Sequence, residues 1–163
     1  MASTHKKALI TRFDRESLEG FVQAPVMLAE GAFEVLSPDG SVLALPAEEV
    51  KAICFVRDFG QSETWRETRS FAARPKAAGL WVRVTFRDRE SVEGIHPNNL
   101  LQVEEAGISI VPPDPSNQGQ KLFIPRAAVA AVEVLGVIGS SARRTTKRPA
   151  TKFIEEGQME MFG

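Results

Sequence analysis

The chain is short of most of what enzymes and membrane proteins need. A single cysteine, Cys54, can neither close an internal disulfide nor build a cysteine-rich zinc site, which suits a reducing compartment. Two histidines, His5 and His96, add little metal-binding capacity. No apolar run approaches the ~20 residues that span a bilayer, and the start, Met1-Ala-Ser-Thr-His-Lys-Lys, lacks the apolar stretch of a secretory signal. A cytoplasmic location without a membrane partner is therefore expected. There is no Walker loop, dinucleotide fingerprint or paired metal-ligand motif. The expectation is a non-enzymatic protein with no catalytic residues, cofactor or metal. Net charge is scarce too: 20 basic against 21 acidic residues leave −1, so no whole-chain field draws the protein onto nucleic acid.

What is present is a soluble, foldable composition of 163 residues, 43% hydrophobic and 25% charged, enough for one medium domain or two very small ones. The charge is unevenly placed. Residues 1–140 carry −3, residues 141–152 carry +5 with no acidic group, and residues 153–163 carry −3. The middle stretch, with Arg143, Arg144, Lys147, Arg148 and Lys152 around Pro149, holds too little apolar surface to offset the entropy of ordering it. A folded body ending near Gly139 and a disordered C-terminal tail are predicted.

Comparing the chain with itself reveals a tandem repeat. Asp14-Arg-Glu-Ser-Leu-Glu-Gly20 recurs as Asp88-Arg-Glu-Ser-Val-Glu-Gly94, and Leu45-Pro46 followed by Val50 recurs as Ile124-Pro125 followed by Val129. The offset grows from 74 to 79 residues, which places about five extra residues in the turn-rich stretch Pro112–Gln120. Each copy reads as short strands. Leu80, Val82, Val84 and Phe86 alternate with Trp81, Arg83 and Thr85, the period of a half-buried strand. Gly20 and Gly94 fall inside second strands, where glycine permits bending or close backbone approach. Pro38-Asp-Gly40 joins a hairpin, and Pro46–Val50 predicts a helical turn before the last strand.

Five bent strands with a helical turn before the last predict an all-β chain of two tandem five-stranded Sm-like or SH3-like small barrels. The predicted layout is a first barrel over 1–59, an inter-barrel segment over 60–79, a second barrel over 80–139 and the tail over 140–163. Asp14, Arg15, Leu18 and Gly20, like Asp88, Arg89, Val92 and Gly94, resemble the first motif of the Sm-like family in a shifted form without its turn glycine. Val50–Phe59 resembles the last strand of an uncharacterised bacterial Sm-like domain. The resemblance implies fold rather than activity. The family's RNA pocket has no clear counterpart in Ala24–Ala29 or Pro97–Leu100, where only Asn98 and Asn99 could read bases.

Other chemistry is sparse. The repeated carboxylates Asp14, Glu16, Glu19, Asp88, Glu90 and Glu93 read as turn and outer-face charges. His96 reads as a loop or rim residue and Cys54 as a reduced structural thiol. Trp65 and Trp81 could stack on bases, although packing between barrels is the commoner use of tryptophan.

The sharpest clue lies in the tail. Gln158-Met-Glu-Met-Phe162 resembles the bacterial sliding-clamp-binding motif, with Met159 and Met161 in place of leucines. The resemblance implies that Gln158, Met159, Met161 and Phe162 bind a DNA sliding clamp, making the chain an adaptor tethered by its tail. The alternative is a nucleic-acid-binding module, using a barrel groove and the cations Arg143, Arg144, Lys147, Arg148 and Lys152.

Overall fold

The computed structural model describes residues 4–14, 16–115 and 118–139. Ten strands follow in chain order: β1 His5–Arg12, β2 Ser17–Gln23, β3 Ala32–Leu36, β4 Val42–Pro46, β5 Val50–Phe55, β6 Gly79–Phe86, β7 Ser91–His96, β8 Gly107–Ile110, β9 Lys121–Pro125 and β10 Val129–Ile138. The helical content is slight: 3₁₀ turns at Ala47–Glu49, Leu100–Gln102 and Arg126–Ala128, and one turn of helix, α1, at Thr64–Glu67. The two 3₁₀ turns that follow Pro46 and Pro125 sit at equivalent places in the repeats, each just before the last strand. The connection between β8 and β9 spans ten residues against five between β3 and β4, which accounts for the growing offset.

The chain is all-β, but its strands do not close into two separate five-stranded barrels. They form a seven-stranded sheet, ordered β4-β3-β2-β1-β5-β9-β8, and a three-stranded sheet, ordered β10-β6-β7. Each repeat keeps the same meander, with first strand between second and last. The handover from second to third strand is thin in both. β2 meets β3 at two residue pairs, and β7 meets β8 only through the bridge Ile95↔Val111. What joins the repeats is β5, whose free edge accepts β9 antiparallel at Ile53↔Phe123, Cys54↔Leu122 and Phe55↔Lys121. An unpaired strand edge carries unmet N–H and C=O groups, and the second repeat supplies them.

This junction explains why the sequence runs apolar at Ala8-Leu-Ile10, Ala52-Ile-Cys54 and Leu122-Phe-Ile124. Neighbouring residues along β1, β5 and β9 enter different cores, so the centre of the large sheet is covered on both faces. Ala8, Ile10, Val50 and Ile53 pack with Phe33, Val35 and the second repeat's Phe123. Leu9, Ala52 and Cys54 pack with Val82, Val84, Phe86, Leu122, Ile124 and Trp65. Each core thus contains residues of both repeats.

Gly20 and Gly94 act through close approach. A Cβ on Gly20 would lie 2.4 Å from Val35 Cγ1, and one on Gly94 would lie 2.7 Å from Ile110 Cδ1. The bare backbone of each second strand lets the third strand cross it closely.

Candidate functional site

The seam between the repeats concentrates the buried polar groups. Lys51 interrupts an otherwise apolar strand and is buried, with its ammonium 2.7 Å from Asp88 Oδ2 and also bonded to Glu90. Its Nζ lies 4.9 Å from the centre of the Phe86 ring, a cation–π arrangement that partly replaces lost water. Arg69 adds a second cation 3.5 Å from Glu90. Partial burial pulls the Asp88 pKa up, but the hydrogen bonds from Lys51 and from the Glu90 N–H, with the lysine's charge, hold it below the ordinary carboxylate range. The Lys51 hydrogen bond likewise lowers Glu90, outweighing its desolvation, and the charges of Lys51 and Arg69 reinforce it.

Both carboxylates therefore stabilise the fold fully above their ordinary pKa values, near 3.8 and 4.5, and lose that contribution as pH falls through the lowered folded values. Lys51→Met should cost about 1–2 kcal/mol at pH 7, less than a fully buried pair because both carboxylates are partly wet. It should also flatten the loss of stability between pH 5 and about pH 2. Urea midpoints of both proteins across that range test this; parallel pH profiles would show that Lys51 does not hold the pair.

A second polar knot ties the 60–79 segment to the β8–β9 connection. Gln120 is buried, and its Oε1 accepts from the Thr64 N–H at 3.1 Å, the Thr64 hydroxyl at 3.2 Å and the Cys54 thiol at 3.3 Å. Its amide donates to Ser62 O at 2.7 Å and to Gln118 Oε1 at 3.0 Å. Asp114 holds the same loop by accepting from the backbone N–H groups of Gln118 and Gly119. Burial, reinforced by the nearby Glu63 charge, pushes the Cys54 pKa up to about 12, so this thiol is a packing group rather than a nucleophile.

The repeated acidic motif divides by position. Asp14 and Asp88 each accept from the backbone N–H two residues on, forming the turn. Arg89, next to Asp88, takes φ 77°, the left-handed conformation for which the family resemblance expects glycine. Glu16 pairs with Arg12. Glu19 is exposed, but Glu93 is buried, which corrects the outer-face expectation for that residue. One oxygen of Glu93 accepts from Trp81 Nε1 and from the Phe71 N–H, each at 3.1 Å, and so pins the 60–79 segment against β6.

His96 is a second correction: it ends β7 as a buried residue, with Nδ1 2.8 Å from Ser109 O. Trp65 is buried between the repeats, and Trp81 is half-buried, edge-on to Phe71 with its Nε1 donating to Glu93. Asn98 is exposed, whereas the Asn99 side chain accepts from the Leu101 N–H and caps the 3₁₀ turn.

A concavity of about 560 Å³ lies beside that turn and is lined by Pro25, Ile95, His96, Leu101, Val103 and Val111. Its rim residues Leu101, Val103 and Val111 are exposed. The only charged groups lining it are Glu104 and Lys121, so it lacks the cationic stripe that tracks a phosphate backbone. Among the described residues no group of three or more His, Cys, Asp or Glu is placed to hold a metal ion, and no helix is long and apolar enough to cross a membrane.

The predicted tail residues Arg143, Arg144, Lys147, Arg148, Lys152, Gln158, Met159, Met161 and Phe162 lie outside the described residues. The sequence reading missed Lys51 and Gln120. The signal for Lys51 was its isolation in an apolar strand whose repeat counterpart is Ala130; Gln120, at the end of a polar loop, gave none.

No curated protein and no solved structure matches the chain. A family model matches residues 4–136, a span that covers both repeats and stops short of the basic segment. On that match the chain belongs to DUF6982, a family of unknown function.

Proposed function

We propose that the protein is a non-enzymatic adaptor whose C-terminal peptide tethers it to a bacterial DNA sliding clamp. The observation that carries this reading is Gln158-Met-Glu-Met-Phe162, which follows a cationic, low-hydrophobicity stretch. Glutamine hydrogen-bonds at the edge of a pocket while unbranched methionine and aromatic phenylalanine fill its apolar floor. The body would be a pair of Sm-like or SH3-like small barrels sharing a wall. The strand order within each repeat and the 3₁₀ turn before each last strand support that description. In this reading the apolar groove beside Leu101, Val103 and Val111 receives a protein partner that the clamp brings near.

The test uses the full chain on an immobilised clamp. The intact protein should bind, and a Gln158→Ala, Phe162→Ala variant should lose at least about 30-fold in affinity, as expected for removing anchor side chains. Equal binding of the two proteins would sink the tether. The second reading, a nucleic-acid-binding module, draws on the five cations between Arg143 and Lys152. It demands duplex or single-strand binding that weakens with salt and disappears when those cations become alanine.

A further inference from the structure

We infer that the groove at the seam between the repeats is a docking surface for an acidic, apolar peptide, and that its occupant is this chain's own segment 153–162. The inference does not depend on what else that segment binds. The concavity of about 560 Å³ beside Leu101 continues into a second of about 400 Å³, and the two share walls at Pro25, Glu104, Ser109 and Lys121. The halves differ in chemistry. The first presents Leu101, Val103 and Val111, with Leu101 93% exposed. The second adds Lys6 and Arg57 to Lys121, and all three are exposed.

Strand register brings these cations together. Phe55 lies opposite both Ala8 and Lys121, with Lys6 two residues before Ala8 and Arg57 two after Phe55, so side-chain alternation turns all three to one face. Their charges are unmatched. Lys7, Arg12, Lys51, Arg66, Arg69 and Arg83 form ion pairs with the body's own carboxylates. Among the described residues, no ion pair or hydrogen bond engages the side-chain nitrogens of Lys6, Arg57 or Lys121. Glu104, the only carboxylate among the described residues of either wall, instead accepts from the Ser109 hydroxyl.

Segment 153–162 carries the complement. Glu155, Glu156 and Glu160 supply negative charge with no cation among them, and Phe153, Ile154, Met159, Met161 and Phe162 supply apolar side chains. Residues 1–140 carry −3, so the body as a whole repels this segment and only a local cationic groove can hold it. Position favours the contact as well. β10 leads the chain out at Ile138 opposite Gly79, whose neighbour Ala78 lies in the wall of the groove, and Leu80 pairs with the wall residue His96. Thirteen residues separate Gly139 from Phe153, a reach of up to about 45 Å against the roughly 30 Å width of a small domain. Covalent attachment sets the local concentration on the order of millimolar, so modest contacts suffice. Docked there, the segment closes the groove to other proteins, and capture of residues 158–162 elsewhere opens it.

Paramagnetic broadening on the full chain provides the test. Gly163→Cys takes a nitroxide, and the buried Cys54 does not compete for it. Amide signals of Leu101, Val103, Val111 and Lys121 should broaden strongly, while those of Asp14 and Asp88, beyond the opposite ends of β1 and β7 from Lys6 and His96, should not. Lys6→Glu, Arg57→Glu and Lys121→Glu together should lower the ratio of docked to free segment by at least about 10-fold, and adding Glu155→Lys, Glu156→Lys and Glu160→Lys should restore it. Leu101→Ser alone should also lower it about 10-fold. The substituted body residues are exposed, so every variant should melt near the parent temperature. Uniform broadening, broadening centred away from the groove, or a charge swap that restores nothing overturns the proposal. So does equal broadening of the groove when the nitroxide and the isotope label sit on different chains. No clamp is present, so this result and that of the tether experiment are read independently.

Discussion

Gly107→Ala should cost the fold about 3 kcal/mol or more, a large share of the roughly 5–15 kcal/mol that holds a domain of this kind together. Gly107 opens β8 and pairs with Pro125. A Cβ there would lie 2.2 Å from Ile124 O, 2.8 Å from Phe123 Cζ and 2.9 Å from Pro125 Cα. Two of these three atoms are backbone, so no rotamer change relieves the clash, and shifting β9 would disturb its pairing with β5. Gly60→Ala serves as the matched control, because nothing lies within 4 Å of a Cβ there and its φ is unremarkable. Urea unfolding should give a sharply lower midpoint for Gly107→Ala and a midpoint close to the parent's for Gly60→Ala. Similar midpoints for the two would mean that β8 and β9 are not packed as described.

Trp65→Ala should be comparably severe, about 3–5 kcal/mol, the range for deleting a large buried aromatic. The indole is 1% exposed and belongs to the core that contains Leu9 and Cys54 from the first repeat and Val84 and Phe86 from the second. Its ring lies 5.9 Å from that of Phe86, its Nε1 donates to Glu63, and Arg66 and Arg69 approach its faces at 5.5 Å. Loss of this one side chain opens a cavity shared by both repeats. Thermal unfolding should therefore stay a single transition at a lower temperature. Two separated transitions would show that the repeats unfold independently. The chain holds only Trp65 and Trp81, so the emission change on unfolding in the Trp65→Ala protein reports Trp81 alone.

Which parts of this arrangement could be read in advance follows from the range of the forces involved. Strand positions were legible because a half-buried strand imposes its period of two locally, as Leu80–Phe86 shows against β6. The proline-led turns at Pro46 and Pro125 and the close approaches at Gly20 and Gly94 were legible for the same local reason. The partnership of β5 with β9 was not, because the choice of neighbour for a strand edge depends on surfaces brought together from distant chain. The continuous apolar runs at Ala8–Ile10 and Leu122–Ile124 did carry a trace of it, since a strand covered on both faces loses its alternation. Lys51, Glu93 and His96 follow the same rule. Glu93 and His96 look exposed or peripheral in the sequence and Lys51 merely interrupts an apolar strand, yet each is buried because a partner from elsewhere, Phe71 and Trp81, Ser109, or Asp88 and Glu90, arrives to satisfy it. Packing between the repeats was the favoured reading of Trp65, but that its 60–79 segment also brings Thr64 to Gln120 and Phe71 to Glu93 was not legible.

The sharing of β5 between the repeats also bears on the order of events during synthesis. Cys54 reaches Gln120 across 66 residues of chain, so the first repeat leaves the ribosome well before the strand that completes it. At the usual 5–20 residues per second that interval is roughly 3–13 s. A hydrophobic strand then waits with one side uncovered, and on a crowded polysome the β9 of a neighbouring nascent chain is as good a fit as its own. Covalent linkage of the repeats resolves that competition by holding the correct strand at high local concentration once it is made. That delay ties translation speed to how much of this protein folds onto itself.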